Sequence, residues 1–182
     1  LKLISSVHSD VVDLVRPFLE QLSANVNETV TLARASGTQL AIIHYVVASR
    51  ELRVVPRIGL NLPLYSTSGG RVLLAMESDE DVRILVGDAY EDLTGMTVKT
   101  FPQLQELIAD VRANGLAIDL GETLEGVCTI AVALDTLLGR FSISLLVPAA
   151  RFHKHEAFYR KELMQCKEAI VNEIGRITTV EE

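Results

Sequence analysis

Apolar residues at helical spacing open the chain, and alternating strand-like segments follow them. Pro17 interrupts the register of the first stripe, so we predict one helix ending near Val15 and a second running from about residue 17 to Asn25. Ser36-Gly37 predicts a hairpin turn between the first two of the strand-like segments that follow. These segments are rich in Val, Ile and Thr and span residues 28–34, 40–48 and 52–58.

The middle of the chain centres on residues 62–76, where an extended Leu-Pro-Leu run leads through a polar turn into an apolar helical pattern. The predicted helix starts near Ser68, with Thr67 or Ser68 as its N-cap. Gly69 and Gly70 then lie in the first turn, where backbone N–H groups lack intrahelical partners and the helix dipole is positive. This start is either a seat for a carboxylate or phosphate, or an ordinary capped helix whose glycines allow tight packing.

Helices and hairpin-connected strands also alternate in the second half of the chain. We predict a short helix from Ser78 to about Gly87 and a loop over residues 90–99. Thr100 and Pro102 then open a helix that Gly115 closes. A strand over residues 116–119, a hairpin of 127–134 with 140–147, and a long amphipathic helix over about 151–177 follow. The pattern predicts an α+β domain with a mainly antiparallel sheet.

The composition of the chain argues against several classes of function. The chain has 182 residues, of which 48% are hydrophobic, enough for the core of one domain. A net charge of −7 argues against this segment gripping nucleic acid itself. Two cysteines imply no disulfide framework, and a reducing cytoplasm is the natural compartment. The first residue is Leu1, already in a helical pattern, so we expect a fragment of a longer protein.

No pattern assembles a nucleophile with its base, a metal site or a cofactor loop. His153 and His155 are too closely spaced to share one helical face. Cys128 has no Cys-x-x-Cys partner, which favours a buried apolar role. We therefore predict no catalytic residue, no metal and no cofactor.

Small and polar residues on the predicted central strands are candidates for a ligand pocket. Asp119 ends a strand, where its carboxylate can point into a cavity, whereas Glu122 is interpreted as a loop cap. Alternation puts Thr129 on the opposite face from Cys128, and it puts Ser142 and Ser144 on one face. Such hydroxyls either line a pocket or are satisfied within the core.

With these segments in view, the chain resembles the IclR-type transcriptional regulators. Residues 62–75 are similar to their Leu-Pro-x-x-x-Thr-Ala-x-Gly-Lys-x-x-Leu-Ala segment. Residues 115–131 are similar to Gly-x-x-x-Asp-x-x-Glu-x-x-x-Gly-Val-x-x-Ile-Ala. Residues 17–32 also fit, as does Pro148 with Arg151. The resemblance implies a GAF-like domain, in which helices flank a curved, mainly antiparallel sheet.

The resemblance also implies a division of the chain and a role for it. Residues 1–16 would end an interdomain linker helix and residues 17–182 would form the effector-binding domain. The winged helix-turn-helix domain that such regulators carry upstream is absent here, so operator DNA is expected as a partner only through that missing domain. We expect a cytoplasmic protein with no membrane partner.

The resemblance places the ligand seat on the start of the central helix and on the polar lining of the sheet. The predicted effector-binding residues are Ser68, Gly69, Gly70, Asp119, Cys128, Thr129, Ser142, Ser144 and Leu146. Arg71 replaces the family's usual lysine, and Leu146 stands where a second serine is expected. The pocket is therefore less polar, which favours an organic acid with an apolar or aromatic body. The alternatives are a small GAF-like enzyme such as a thiol-dependent reductase, and a pure oligomerisation module.

The N-terminal helix is the basis for an assembly prediction. Its apolar stripe includes Val7, Val11 and Leu14, which we expect to form a partner surface. The resemblance adds tetramers, so the prediction is a homodimer or homotetramer. The alternative is that this stripe folds back onto the domain's own core.

Overall fold

Six antiparallel strands form one curled sheet with helices on both faces in the computed structural model. The structure describes the backbone of residues 2–180 and the side chains of residues 9–174. The helices are α1 (Lys2–Val26), α2 (Ser68–Leu74), α3 (Asp79–Val86), α4 (Phe101–Asn114) and α5 (Ala149–Val180). The strands are β1 (Thr29–Ser36), β2 (Gln39–Val46), β3 (Leu62–Pro63), β4 (Leu116–Leu120), β5 (Val127–Thr136) and β6 (Gly139–Pro148).

The strand order is β3-β2-β1-β6-β5-β4, which places the first and the last strand side by side at the centre. Thr29 of β1 lies opposite Leu146 of β6, and Leu146 lies opposite Thr129 of β5. Every pairing is antiparallel, so the predicted fold class and both predicted hairpins are confirmed.

Residues 52–58 do not form the predicted strand. In this part of the chain, side chains rather than a neighbouring strand form hydrogen bonds with the backbone. The Thr29 hydroxyl donates to the carbonyl of Val54 at 2.7 Å and accepts from the amide of Ala48. Arg151 donates to the carbonyl of Leu52 at 2.7 Å. Only Leu62 and Pro63, further along, add a short third strand to this side of the sheet.

Helix α1 runs through Pro17 without ending, so the predicted break there is wrong, and the predicted boundary between residues 16 and 17 falls inside one helix. Proline removes one backbone hydrogen bond, but tertiary packing supplies most of the stability of a protein helix. Val15 and Leu19 flank Pro17 on the buried side and are fully covered, while Pro17 itself is exposed. An ion pair from Arg16 to Asp13 at 3.0 Å spans the same turn.

The apolar stripe of α1 packs on the chain's own core, which contradicts the reason given for a partner surface. Val11 is 3% exposed and belongs to the cluster that α1 and α5 form with one face of the sheet. Leu14 is half-buried, and the side chain of Val7 lies outside the described residues. The assembly state therefore stays a prediction without this support.

Local capping follows the sequence. Thr67, Ser78 and Thr100 are the N-caps of α2, α3 and α4, and each side chain accepts from an amide three residues on. Gly115 ends α4 in the left-handed conformation with φ of 79°. The predicted start of the central helix is thus confirmed.

A buried carboxylate joins the first strand to the last helix. Both oxygens of Glu28 accept from Arg151, at 2.7 and 2.9 Å, and the Tyr159 hydroxyl donates to the same carboxylate at 2.9 Å. Glu28 is fully buried, so these charge-assisted bonds hold the amino end of β1 against α5. Helix α2 lies on the opposite face of the sheet, where small and polar side chains leave room for a ligand site.

Candidate functional site

A cavity of about 50 Å³ lies between the start of α2 and the sheet. Its walls are largely aliphatic, and its polar groups come from β1, β4, β5 and β6, from the start of α2 and from the loop that follows β4. The lining residues are Thr31, Leu40, Ile42, Leu62, Thr67, Ser68, Gly69, Asp119, Thr123, Leu124, Val127, Thr129, Ser144 and Leu146. The space holds a few water molecules, so a larger ligand requires the walls to move.

The polypeptide turn before α2 fixes the polar end of this cavity. The Thr67 hydroxyl donates to the carbonyl of Pro63 and accepts from the amide of Gly70, both at 3.0 Å. The amide of Gly70 is therefore used by the N-cap and is not available to a ligand, which corrects its place in the predicted seat. The amides of Ser68 and Gly69 have no hydrogen-bond partner among the described residues.

The two glycines of α2 are required by packing. A Cβ atom on Gly70 would overlap the backbone of Leu64. On Gly69 it would lie 2.9 Å from the Ser142 Oγ atom and 3.1 Å from that of Ser144. The packing interpretation therefore holds for Gly70, while Gly69 both packs on the sheet and lines the cavity.

Two hydroxyls connect the helix start to the sheet. The Oγ of Ser68 and the Oγ1 of Thr129 lie 2.6 Å apart, so one of them donates to the other. Each can make further hydrogen bonds, because a hydroxyl has one donor and two acceptor sites. The pair is a polar spot on an otherwise aliphatic wall.

Asp119 brings a titratable carboxyl group to the same end. It lies opposite Thr129 in the β4–β5 ladder and is 1% exposed. Burial raises its pKa to about 6, and the hydrogen bond of 2.6 Å from the amide of Glu122 opposes that rise. Asp119 therefore changes charge close to neutral pH, where it can either accept from or donate to a ligand.

The loop over residues 121–126 covers the cavity and is tied to α2 by a buried ion pair. Arg71 donates to both carboxylate oxygens of Glu122, at 2.8 and 2.5 Å, and to the carbonyls of Tyr65 and Ile118. Arg71 is 1% exposed, and the side chain of Glu122 is 15% exposed. The interpretation of Glu122 as a simple loop cap is wrong. The available signal was a charged residue inside the apolar pattern of α2.

Six of the nine predicted residues line the cavity and three do not. Ser68, Gly69, Asp119, Thr129, Ser144 and Leu146 line it. Gly70, Cys128 and Ser142 do not line it, and effector binding by the other six stays a prediction. Cys128 packs in the core shared with α1 and α5, on the other face of β5 from Thr129. Ser142 lies beneath Gly69, and its Oγ is buried without a hydrogen-bond partner among the described residues.

Most of the lining that the sequence missed is aliphatic and comes from β2, β3 and the covering loop. The eight lining residues that were not predicted are Thr31, Leu40, Ile42, Leu62, Thr67, Thr123, Leu124 and Val127. Alternation in β2 separates Leu40 and Ile42 from Ile43, but no local signal distinguishes a strand face over a cavity from one over a filled core.

The two cysteines do not support the alternative of a thiol-dependent reductase. Both are buried and unpaired. Burial raises the pKa of Cys128, and it raises that of Cys166 to about 12, so neither thiol is activated as a thiolate. In the part of the chain that the structure describes, no group of three acidic, histidine or cysteine side chains is placed to hold a metal ion. None of the described helices combines the length and apolarity needed to cross a membrane.

Comparisons with known proteins agree with this geometry. The family model described as "Bacterial transcriptional regulator IclR C-terminal" matches residues 4–172. The HTH-type transcriptional regulator TtgV of Pseudomonas putida is 37% identical over 96% of this chain. The HTH-type transcriptional regulator KdgR of Escherichia coli is 33% identical over 78% of it. The chain spans 67% of the length of TtgV and 56% of that of KdgR.

Solved structures show the same fold. The C-terminal domain of E. coli KdgR superposes with a TM-score of 0.80 at 26% identity, covering 91% of this chain and 99% of that one. An IclR homologue from Microbacterium hydrocarbonoxydans, solved in complex with 4-hydroxybenzoate, has a TM-score of 0.81 at 17% identity and covers 93% of this chain and 70% of that one. The homologues are named as transcriptional regulators and not as enzymes. The chain therefore belongs to the IclR family of bacterial transcriptional regulators and corresponds to its effector-binding C-terminal domain.

Proposed function

We propose that this chain is the ligand-sensing and oligomerisation domain of a cytoplasmic regulator, and that its cavity binds a small organic acid with an apolar or aromatic body. Binding would modulate the attachment to operator DNA of a helix-turn-helix domain outside this chain. The observation that supports it most directly is the cavity itself, in which aliphatic walls face a polar end formed by Ser68, Thr129 and Asp119.

The walls favour an apolar body. Leu40, Ile42, Leu62, Val127 and Leu146 contribute only aliphatic side chains. Leu146 lies between Thr29 and Thr129 in the sheet. A polar side chain at this position would extend the polar end of the cavity, and leucine does not. A ligand pocket of this composition gains affinity from apolar burial, and it gains orientation from its few polar groups.

The polar end favours an acid through hydrogen bonds rather than through a strong dipole, because α2 has only 7 residues. The amides of Ser68 and Gly69 and the Ser68 hydroxyl can donate to a carboxylate. Asp119 would repel an ionised acid while it is itself ionised. Because burial raises its pKa to about 6, it can instead be protonated and donate to the ligand.

The small size of the cavity links binding to a change of shape. A benzoate-sized ligand exceeds a space of about 50 Å³, so the covering loop would have to shift. Its lining residue Leu124 is 44% exposed, and the loop is bounded by Gly121 and Gly126, with φ of 80° and 78°. A ligand that prefers the shifted loop changes the populations of two states, which an effector must do.

One related structure holds a ligand of the proposed class. The Microbacterium homologue was solved with 4-hydroxybenzoate, a small aromatic acid. The relatives TtgV and KdgR are named as HTH-type regulators, and this chain spans only part of their length. DNA binding by the whole protein is therefore part of the proposal.

The test is calorimetric titration of the chain with benzoate, 4-hydroxybenzoate and neutral benzyl alcohol. We expect the acids to bind, and Thr129→Val to weaken them about tenfold because it removes a hydroxyl without changing shape. The matched control is Thr38→Val, in the exposed β1–β2 turn, which leaves binding unchanged. Tighter binding of benzyl alcohol than of both acids would contradict the acid assignment. Absence of any binding would favour a pure oligomerisation module.

A further inference from the structure

A second cavity, of about 390 Å³, lies at the opposite end of α2 from the first. The tips of the β1–β2 and β5–β6 hairpins, the carboxyl half of α2, and α3 surround it. Leu64, Leu73, Leu74 and Phe141 are buried side chains of its apolar wall, and Arg34 and Arg140 contribute its positive charges. The two cavities share no lining residue. This volume lies in the range of roughly 300–1,000 Å³ that is usual for small-molecule pockets.

Arg34 is the unsatisfied group of this cavity. Its Nε atom is buried and has no hydrogen-bond partner among the described residues. Its guanidinium makes one hydrogen bond there, from Nη1 to the carbonyl of Ala35 at 3.3 Å. No described acidic side chain forms an ion pair with it. A planar guanidinium has five N–H donors arranged to bind a carboxylate, so most of its capacity is unused.

The other charged groups at this cavity pair with one another, one arginine with two carboxylates. Arg140 pairs with Glu77 at 3.0 Å and with Asp135 at 3.5 Å. Glu77 is the acidic lining residue, and this ion pair offsets its charge. Arg34 therefore has no ion pair of its own among the described residues. Arg34 is half-buried, and a guanidinium whose Nε donor is buried without a partner favours an anionic acceptor.

We propose that this cavity is a second ligand site, which takes an organic monoanion with an apolar body. Its carboxylate binds the guanidinium of Arg34 and supplies the acceptor that Nε lacks. Its body packs on Leu64, Leu73, Leu74 and Phe141. This site is separate from the proposed effector site, and neither depends on the other being occupied.

The test uses 4-bromobenzoate as the probe, because its bromine can be located by anomalous scattering. Crystals of the chain soaked in the probe should show a bromine peak in the second cavity, with the carboxylate at Arg34. Equilibrium dialysis should show that Arg34→Met removes one bound probe per chain. Arg34→Lys, which keeps the charge but not the planar fork, should lower the affinity of this site about tenfold. The control Arg57→Met removes an exposed arginine and should remove no bound probe.

The Arg34→Met chain is expected to fold, because the substitution replaces an unpartnered buried donor with an apolar side chain of similar length. Its melting temperature without probe should be no lower than that of the unsubstituted chain. If both cavities bind the probe, Arg34→Met lowers the number of probe molecules bound per chain from two to one. If the first cavity binds no acid, the number falls from one to zero, so failure of the proposed function is seen separately. An unchanged count in Arg34→Met, or no bromine peak beside Arg34, would overturn the second site.

Discussion

The guanidinium of Arg71 holds both carboxylate oxygens of Glu122, and this ion pair joins α2 to the loop that covers the first cavity. Both side chains are largely buried, so the pair is shielded from water and salt. Removing one partner leaves the other charge buried without compensation, and that is more costly than removing both.

We predict that Glu122→Ala lowers the free energy of unfolding by about 3–5 kcal/mol. The double change Arg71→Met with Glu122→Leu should cost less, because it leaves no unpaired charge. Urea denaturation followed by circular dichroism measures both. The control Glu156→Ala breaks the partly exposed pair with Arg160 on α5 and should change stability by less than about 1 kcal/mol. Equal effects of Glu122→Ala and Glu156→Ala would show that the Arg71 pair is not a structural anchor.

Acid binding at the first cavity should depend on pH through Asp119. Its pKa of about 6 means that the carboxyl group takes up a proton as the pH falls from 7 to 5, while a benzoate ligand stays ionised. The affinity for benzoate should therefore be about tenfold higher at pH 5 than at pH 7. Calorimetric titration at a series of pH values measures this change.

Asp119→Asn should flatten that profile, since the amide can donate at every pH. The control Asp110→Asn, exposed on α4, should keep the slope. Affinity for benzoate that rises with pH in the unsubstituted chain would mean that Asp119 acts as an acceptor, and that the ligand presents a hydroxyl group to it.

Asp119 should also make the stability of the unliganded chain depend on pH. Burial raises its pKa from 3.8 in the reference state to about 6 in the folded state. Between these values the native protein holds a proton that the unfolded chain has lost, so the free energy of unfolding falls as the pH rises. At pH 7, Asp119→Asn should therefore stabilise the chain, by at most about 3 kcal/mol, and at pH 4 the two should be nearly equal. Denaturant unfolding of both proteins at pH 4 and pH 7 measures this difference. If Asp119→Asn raises the free energy of unfolding equally at both pH values, ionisation of Asp119 is not the cause.

Pro17 offers a test of how α1 tolerates a residue that usually ends a helix. Pro17→Ala restores a backbone donor in the helix interior and should stabilise the chain by about 1–3 kcal/mol, after the loss of proline's restriction of the unfolded state is included. The matched control is Pro102→Ala in the first turn of α4, where no intrahelical bond is missing, and it should not stabilise. Thermal unfolding compares the two, and equal gains would mean that the position within the helix is irrelevant.

Assembly is the part of the proposed function for which α1 gives no support, and residues 50–61 are the next candidate surface. Leu52, Val55 and Ile58 are 65%, 58% and 75% exposed there. We predict that they contact a second copy, since symmetric homodimers are the commonest soluble assembly. Ile58→Asp should then shift the mass measured by light scattering toward the monomer, while Ile84→Asp, on α3 and 73% exposed, should not. A monomeric mass for the unsubstituted chain at micromolar concentration would rule the assembly out.

Local chemistry is what the sequence predicts well. The sequence predicts helix starts at Ser78 and Thr100 and offers Thr67 as one of two N-cap candidates, and all three are N-caps in the structure. Strand alternation likewise placed Cys128 opposite to Thr129, and the structure agrees. The list of candidate site residues nevertheless includes Cys128, which lies on the face of β5 away from the cavity.

Contacts between distant parts of the chain could not be predicted. Arg71 and Glu122 are 51 residues apart, and Glu28 and Arg151 are 123 residues apart. No spacing rule connects such pairs, because the fold alone determines which distant residues meet. Pro17 shows the same limit, since a local rule predicted a break and packing of the flanking residues prevented it.

The neighbouring positions of β1 and β6 have a consequence for how the chain acquires its structure. Ala33 of the first strand pairs with Ser142 of the last, so the centre of the sheet cannot close until residue 142 has been synthesised. Until then the β1–β2 hairpin lacks its central neighbour, and the apolar residues of α1 lack the β6 and α5 side chains that pack on them in the core. Contacts of such long sequence separation slow folding. On the ribosome, this domain should therefore stay open to chaperones until its last strand emerges.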